Sequence, residues 1–293
     1  TVDYIVSGTQ GIVSAIIRIV TAGILAGALI ESGAADRIAQ AIIKTLGTKR
    51  CLIAMMLATW LLTAVGVFGD VAVITVAPIA IQMARRANYH KLGVLMAMVG
   101  GVKAGNVMSP NPNAIAAAEG FGQPLTSVIA VGIIPAVTAL IVTALLARAL
   151  AYKGSVITDN DINAMEEKDL PSLGAALSGP IVTIALLVLR PIAGITVDPL
   201  VALPVGGIVG TIVMGKTREM GRYFTMGLGK MSGVAMLLIG TGALSGIISN
   251  SNLKDVITAF IDAMGLPGFM LAPIAGILMG AATASTTAGT TLG

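Results

Sequence analysis

The sequence predicts an all-α polytopic membrane protein with helical hairpins and broken helices, and three observations carry that prediction. The composition is 56% hydrophobic and 11% charged, with a mean hydropathy of +0.93, which a water-facing surface does not accommodate. Apolar segments about as long as a bilayer crossing recur along the chain. Between two of them lies Gly100-Gly101-Val102-Lys103-Ala104-Gly105-Asn106-Val107-Met108-Ser109-Pro110-Asn111-Pro112-Asn113-Ala114, polar and carrying two prolines. Proline removes a backbone donor and clashes with the preceding turn, so this stretch must interrupt its helix. At membrane depth such irregular backbone is tolerated where protein or water covers it, which marks a substrate or ion pathway.

The net charge of +4 comes from short basic clusters between spans rather than from one stripe. It signals topology, and no nucleic-acid partner is expected. Cys51 and His90 are the single cysteine and the single histidine. They exclude an intrachain disulfide, a cysteine-rich metal cluster and a multi-histidine site, so neither a metal nor an organic cofactor is expected.

In chain order, residues 9–30 form the first span, with Gly23 and Gly27 on one face as close helix packing requires. Arg18 falls near its middle, where a charge is costly and should face protein, paired with Asp70 or with substrate. Residues 32–46 repeat apolar positions at three and four, with Ser32 as N-cap, and read as an amphipathic surface helix. From Cys51 to Arg86 the chain is apolar except at Gly66–Asp70, with basic residues at both ends. Each arm is about 16 residues, short of the ~20 of a full crossing, which predicts a hairpin from the cytoplasmic side with the Asp70 carboxylate at its buried tip.

Residues 91–119 cross outward as the broken helix, 125–147 return, and 148–172 is an acidic loop. Spans at 173–189 and 199–214 join outside near Asp198, and 231–249 crosses out again. With that topology 14 of the 18 Lys and Arg residues are cytoplasmic, and the outer segments hold only Arg190 and Lys254.

An internal repeat suggests the architecture. Ala35, Ile38, Ala39, Ile42, Ile43 and Leu46 fall, at an offset of 218, on Leu253, Val256, Ile257, Phe260, Ile261 and Met264. The first copy lies inside and the second outside, the mark of an inverted-repeat secondary transporter. The same offset maps the hairpin tip onto the hydroxyl-rich run at 284–291. We therefore expect one transmembrane domain over 1–293, truncated at both ends. It would comprise a first repeat at 9–150, a cytoplasmic loop at 151–172, connecting spans at 173–214 and the start of an inverted second repeat at 229–293.

Glu31-Ser32-Gly33-Ala34-Ala35-Asp36-Arg37-Ile38-Ala39, then Leu46-Gly47-Thr48-Lys49-Arg50, and Gly69-Asp70-Val71-Ala72-Val73 with Pro78 resemble the gluconate permease family of the ion transporter superfamily. The resemblance covers most of the chain and is strongest between residues 27 and 150. It implies a proton-coupled symporter of gluconate or a related small hydroxy acid such as glycerate, in the bacterial inner membrane. Many members carry a histidine-containing proline motif near the broken helix, where this chain has Ser109-Pro110-Asn111-Pro112-Asn113. Sodium coupling, or exchange of another small organic anion, therefore stays open, as does a homo-oligomer in the bilayer.

Chemically, Asn106, Ser109, Asn111 and Asn113 with freed backbone groups can ligate a hydroxylated carboxylate, and Lys103 attracts it. Asn113 could cap a helix at 114–119 whose amides then point at the anion. The competing reading is an ordinary loop outside the bilayer. Asp70 reads either as a proton carrier, since burial raises a carboxyl pKa toward neutrality, or as the N-cap of a helix from Val71. Glu119 is a second proton-coupling candidate at the outer surface. Ser285, Thr286 and Thr287 add hydroxyls from the second tip, unless they bond only their own carbonyls.

Enzyme readings find little support. The chain holds no His-Glu-x-x-His motif, and an intramembrane aspartyl protease would need a second carboxylate beside Asp70. A channel explains a basic residue beside an anion-suited break less well than a carrier does.

Overall fold

In a computed structural model, the structure describes residues 2–158, 161, 169–252, 259, 263, 265 and 267–283. The chain is all-helical, with no strand among the described residues beyond an isolated bridge between His90 and Val156. Among the described residues, five helices are long and apolar enough to cross a membrane. The protein is a polytopic membrane protein.

The elements are α1 (Val2–Gly11), α2 (Val13–Glu31), α3 (Ala34–Leu46), α4 (Cys51–Ala64), α5 (Gly69–Arg86), α6 (Lys91–Val107) and α7 (Pro112–Gly120). They continue with α8 (Leu125–Ala149), α9 (Leu173–Ala193), α10 (Pro199–Val213), α11 (Met220–Ser249) and α12 (Leu271–Thr283).

Two bundles emerge from the packing. Helices α1, α2, α9, α10 and α11 pack on one another, and α4, α5, α6 and α8 form a second group carrying α7. At one end α3 bridges the groups, touching α4 and α5 on one side and α2 and α9 on the other. At the other end α7 lies against α2.

Small residues set how closely these helices approach. A Cβ on Gly23 or Gly27 would run into the backbone of α11 at Tyr223 and Gly227, and Gly8 meets Gly242 and Gly246 in the same way. Without a hydrophobic drive between helices in lipid, such backbone proximity supplies the van der Waals contact that holds spans together. The face that α3 turns inward is Ala34, Ala35, Ile38, Ala39 and Ile43, all buried, as its period predicts.

Several expectations are corrected. The first span starts at Val13, after a separate α1, so Arg18 sits in the second turn of α2 and not at mid-span. Gly33, in the left-handed region at φ 78°, occupies the cap position of α3, a conformation open to glycine. Ser32 still accepts the Ala34 N–H at 3.3 Å. The hairpin forms, but Phe68 holds the cap position of α5, and Asp70 is an exposed first-turn residue rather than a cap or a buried carboxylate. Its carboxylate there complements the positive end of the helix. Helix α11 starts at Met220, well ahead of residue 231, because nothing between the two breaks a helix. Most of the second copy of the amphipathic helix, and the tip with Ser285, Thr286 and Thr287, lie outside the described residues.

Candidate substrate site

The helix break is narrower than the polar stretch that foretold it. Helix α6 continues through Gly100, Gly101, Lys103, Gly105 and Asn106 to Val107, and only Met108 to Asn111 leave the helix. The glycines serve packing. A Cβ on Gly101 would collide with the Met56 carbonyl and Thr59 Oγ1, and one on Gly105 with Thr63 Oγ1. The Thr59 hydroxyl reaches the Met98 carbonyl across the interface at 3.0 Å, and Thr63 reaches that of Val102 at 3.5 Å. Thr59 and Thr63 therefore clamp α6 to α4. The pairing of hydroxyls and glycines, each four residues apart, is the signal in the sequence that could have revealed it.

Asn111 organises the break. Its Oδ1 accepts from the backbone N–H of Asn113 at 2.7 Å and of Ala114 at 3.3 Å, which makes Asn111 the N-cap of α7 with Pro112 at N1. Its Nδ2 donates to the Asn106 carbonyl and, at 2.7 Å, to Ser109 Oγ. One side chain thus ties the end of α6, the break and the start of α7 together. The expectation that Asn113 caps the helix is overturned, because proline at position 112 puts the first orphan amides one residue beyond it. The same cap consumes the amides that were expected to point at an anion. Ser109 and Asn111 are buried, Asn106 and Asn113 partly exposed, and Lys103 exposed.

The hairpin tip comes to this break. A Cβ on Gly69 would run into the Val102 side chain and come within 3.7 Å of Asn106 Nδ2, so the start of α5 abuts the last turns of α6, and Asp70 follows at the next position. Trp60, on the arm leading to the tip, has its buried Nε1 without a hydrogen-bond partner among the described residues.

Arg18 and Glu119 belong to a different place. Arg18 donates Nε to Asp198 Oδ1 at 3.0 Å and Nη2 to Oδ2 at 2.8 Å, while Nη1 pairs with Glu119 and Ser14. Its partner is thus not Asp70. Asp198 also caps α10 through the Leu200 N–H at 2.8 Å. The Arg18 guanidinium, aided by that amide, holds the Asp198 carboxyl below the usual range against a smaller effect of burial. Sequence reasoning used Asp198 only to locate a turn.

No group of His, Cys, Asp and Glu residues among those described could hold a metal ion. The family profile of the GntP family permeases matches residues 1–292. An uncharacterized transporter of Haemophilus influenzae is 56% identical over 290 residues, spanning 99% of this chain and 69% of that protein. The D-serine transporter DsdX of Escherichia coli is 26% identical over 312 residues, covering 96% of this chain and 68% of its own length. A gluconate permease of Pseudomonas aeruginosa is 23% identical over 313 residues, covering 98% and 69%. The chain belongs to the GntP family of permeases, membrane transporters rather than enzymes.

Proposed function

We propose that the protein is a proton-coupled symporter of a small hydroxy-carboxylate such as gluconate or glycerate, working in a bacterial inner membrane. The observation that carries this reading is the α6–α7 break with the hairpin tip set against it. Interrupted helices meeting at membrane depth are how transporters build a site for a small ion and its partner.

In this reading Lys103, Asn106 and Asn113 bind the carboxylate and hydroxyls of the substrate, and Asn111 with Ser109 keeps the break in shape. Asp70, one residue beyond Gly69 at the tip, carries the coupled proton. The bundle of α4 to α8 moves against that of α2 and α9 to α11 to expose the break to either side in turn. The gluconate permease relative supports the hydroxy acid. A second reading, a small amino acid as substrate, draws on the D-serine transporter relative.

Uptake of labelled gluconate, glycerate and D-serine into proteoliposomes, with and without an imposed proton gradient, tests both. Gradient-driven uptake of a hydroxy acid that Asp70→Asn abolishes, with counterflow of labelled substrate retained, is the expected result. Uptake of D-serine alone would transfer the assignment to the amino acid. Gradient-driven uptake untouched by Asp70→Asn would remove Asp70 from the mechanism, and drive by a sodium gradient would replace the proton.

A further inference from the structure

Arg18, Glu119 and Asp198 form one wall of a cavity of about 410 Å³, whose other polar lining is Arg190, Gln123, Thr126 and Thr196. The volume is that of an ordinary small-molecule site. The cavity lies at the end of the spans opposite the basic turns at 49–50, 85–86 and 216–222, so the positive-inside tendency assigns it to the outer face. Helix α7 joins it to the break. From Asn111 to Glu119 the helix rises about 12 Å at 1.5 Å per residue, so this is a second place, met before the break by a solute arriving from outside.

The charges here are unequally committed. Asp198 is held twice, by the Arg18 fork and by the α10 cap. Glu119 is held by Arg18 Nη1, from a helix of the other bundle. Arg190, in the last turn of α9, is half-buried on the cavity wall, and among the described residues its guanidinium has no hydrogen bond or ion pair. A guanidinium in that position is suited to a carboxylate, and two threonine hydroxyls with an amide suit the hydroxyls of the same molecule.

We propose that this cavity is an outer binding site for a small carboxylate, which pairs with Arg190 and takes the place of Glu119 on Arg18 Nη1. The exchange frees α7 from α2 and so loosens the outer contact between the two bundles, while Asp198 keeps Arg18 in position. The proposal rests on the organic-anion reading above for the class of ligand.

The test places Thr196→Cys in the protein in sealed vesicles and follows its modification by a membrane-impermeant maleimide added outside; the native Cys51 is buried and stays silent. Gluconate, glycerate and D-serine are the added carboxylates, with sorbitol as the control that lacks one, and Gln123→Cys repeats the readout from the loop after α7. We expect at least one of the carboxylates to slow modification while sorbitol does not, and Arg190→Gln to abolish the protection. Glu119→Gln, which removes the competing carboxylate, should bring half-protection to an about tenfold lower concentration, the worth of one charged contact. No protection by any of the three, or equal protection in Arg190→Gln, overturns the proposal. Protection without uptake of any of them sinks the substrate reading and upholds this site. Uptake without protection does the reverse.

Discussion

Arg18 and Asp198, 180 residues apart in the sequence, meet as a fork against a carboxylate, Nε to Oδ1 at 3.0 Å and Nη2 to Oδ2 at 2.8 Å. The pair fastens α2 to the first turn of α10 and leaves Nη1 to face Glu119 on α7. One arginine thereby belongs firmly to one bundle and more loosely to the other.

The pair predicts a pH dependence. The folded-state pKa of Asp198 is lowered, first by the Arg18 hydrogen bonds, so its contribution is complete above the ordinary carboxylate range and is lost as pH falls below that range. Discounted for solvent exposure, the pair is worth about 1 kcal/mol. Asp198→Asn, which keeps the α10 cap, should lower stability by about that amount at neutral pH and flatten the acid limb. Thermal unfolding in detergent at several pH values reads both effects.

Close packing of α4 on α6 predicts severe effects from small changes. Gly101→Ala places a methyl group into the Met56 carbonyl and Thr59 Oγ1, and Gly105→Ala places one into Thr63 Oγ1. Each should cost about 1–3 kcal/mol. Thr63→Ala should relieve Gly105→Ala in part, since the Trp60 carbonyl at 2.6 Å remains in the way. Gly221→Ala, where nothing lies within 4 Å, should change stability by less than about 0.5 kcal/mol. Unfolding midpoints of the four variants decide the matter.

Asn111 makes a sharper distinction available. Asn111→Ala loses the cap and both donated bonds and should cost about 1–2 kcal/mol. Asn111→Asp keeps the acceptor for the Asn113 and Ala114 amides but cannot donate to the Asn106 carbonyl or Ser109. It should therefore keep most of the stability and still lose transport, as unfolding and uptake measured on the same preparation will show.

At the end of the spans that the basic turns assign to the cytoplasm, Lys91 Nζ donates to Asp161 at 2.6 Å, tying the acidic loop to the start of α6. That bond, with the Thr158 amide and hydroxyl, lowers the Asp161 pKa to about 2. The tether should persist at pH 4 and fail only as pH approaches about 2. Asp161→Asn should release it at any pH, read as faster proteolysis of the loop in inside-out vesicles. An unchanged cleavage rate would mean that the backbone bonds from His90 to Ala151 and from Lys91 to Ser155 hold the loop alone.

Much of the fold is legible in the residues because each rule involved is local. The period of Ala35, Ile38, Ala39 and Ile43 defines the buried face of α3, and Gly66 to Gly69 bounded by apolar arms defines a hairpin. Proline at 110 and 112 announces a break, though not its extent. The glycines before it looked like part of the interruption, and only contact with Thr59 and Thr63 shows that they admit a neighbouring helix instead. The cap of α7 was misplaced by two residues because Asn111 and Asn113 are chemically alike, and the choice between them depends on where α6 ends.

By itself, then, the sequence determined that this is a helical membrane protein with a hairpin and a broken helix, and its family likeness, since hydrophobic period, proline and charge placement act over a few residues. Tertiary structure decided which groups meet. It put Arg18 with Asp198 and Glu119 rather than Asp70, set Gly69 against Val102, and left Arg190 facing a cavity. Pairing across 180 residues depends on how two bundles pack, and that is a property of all the helix faces together.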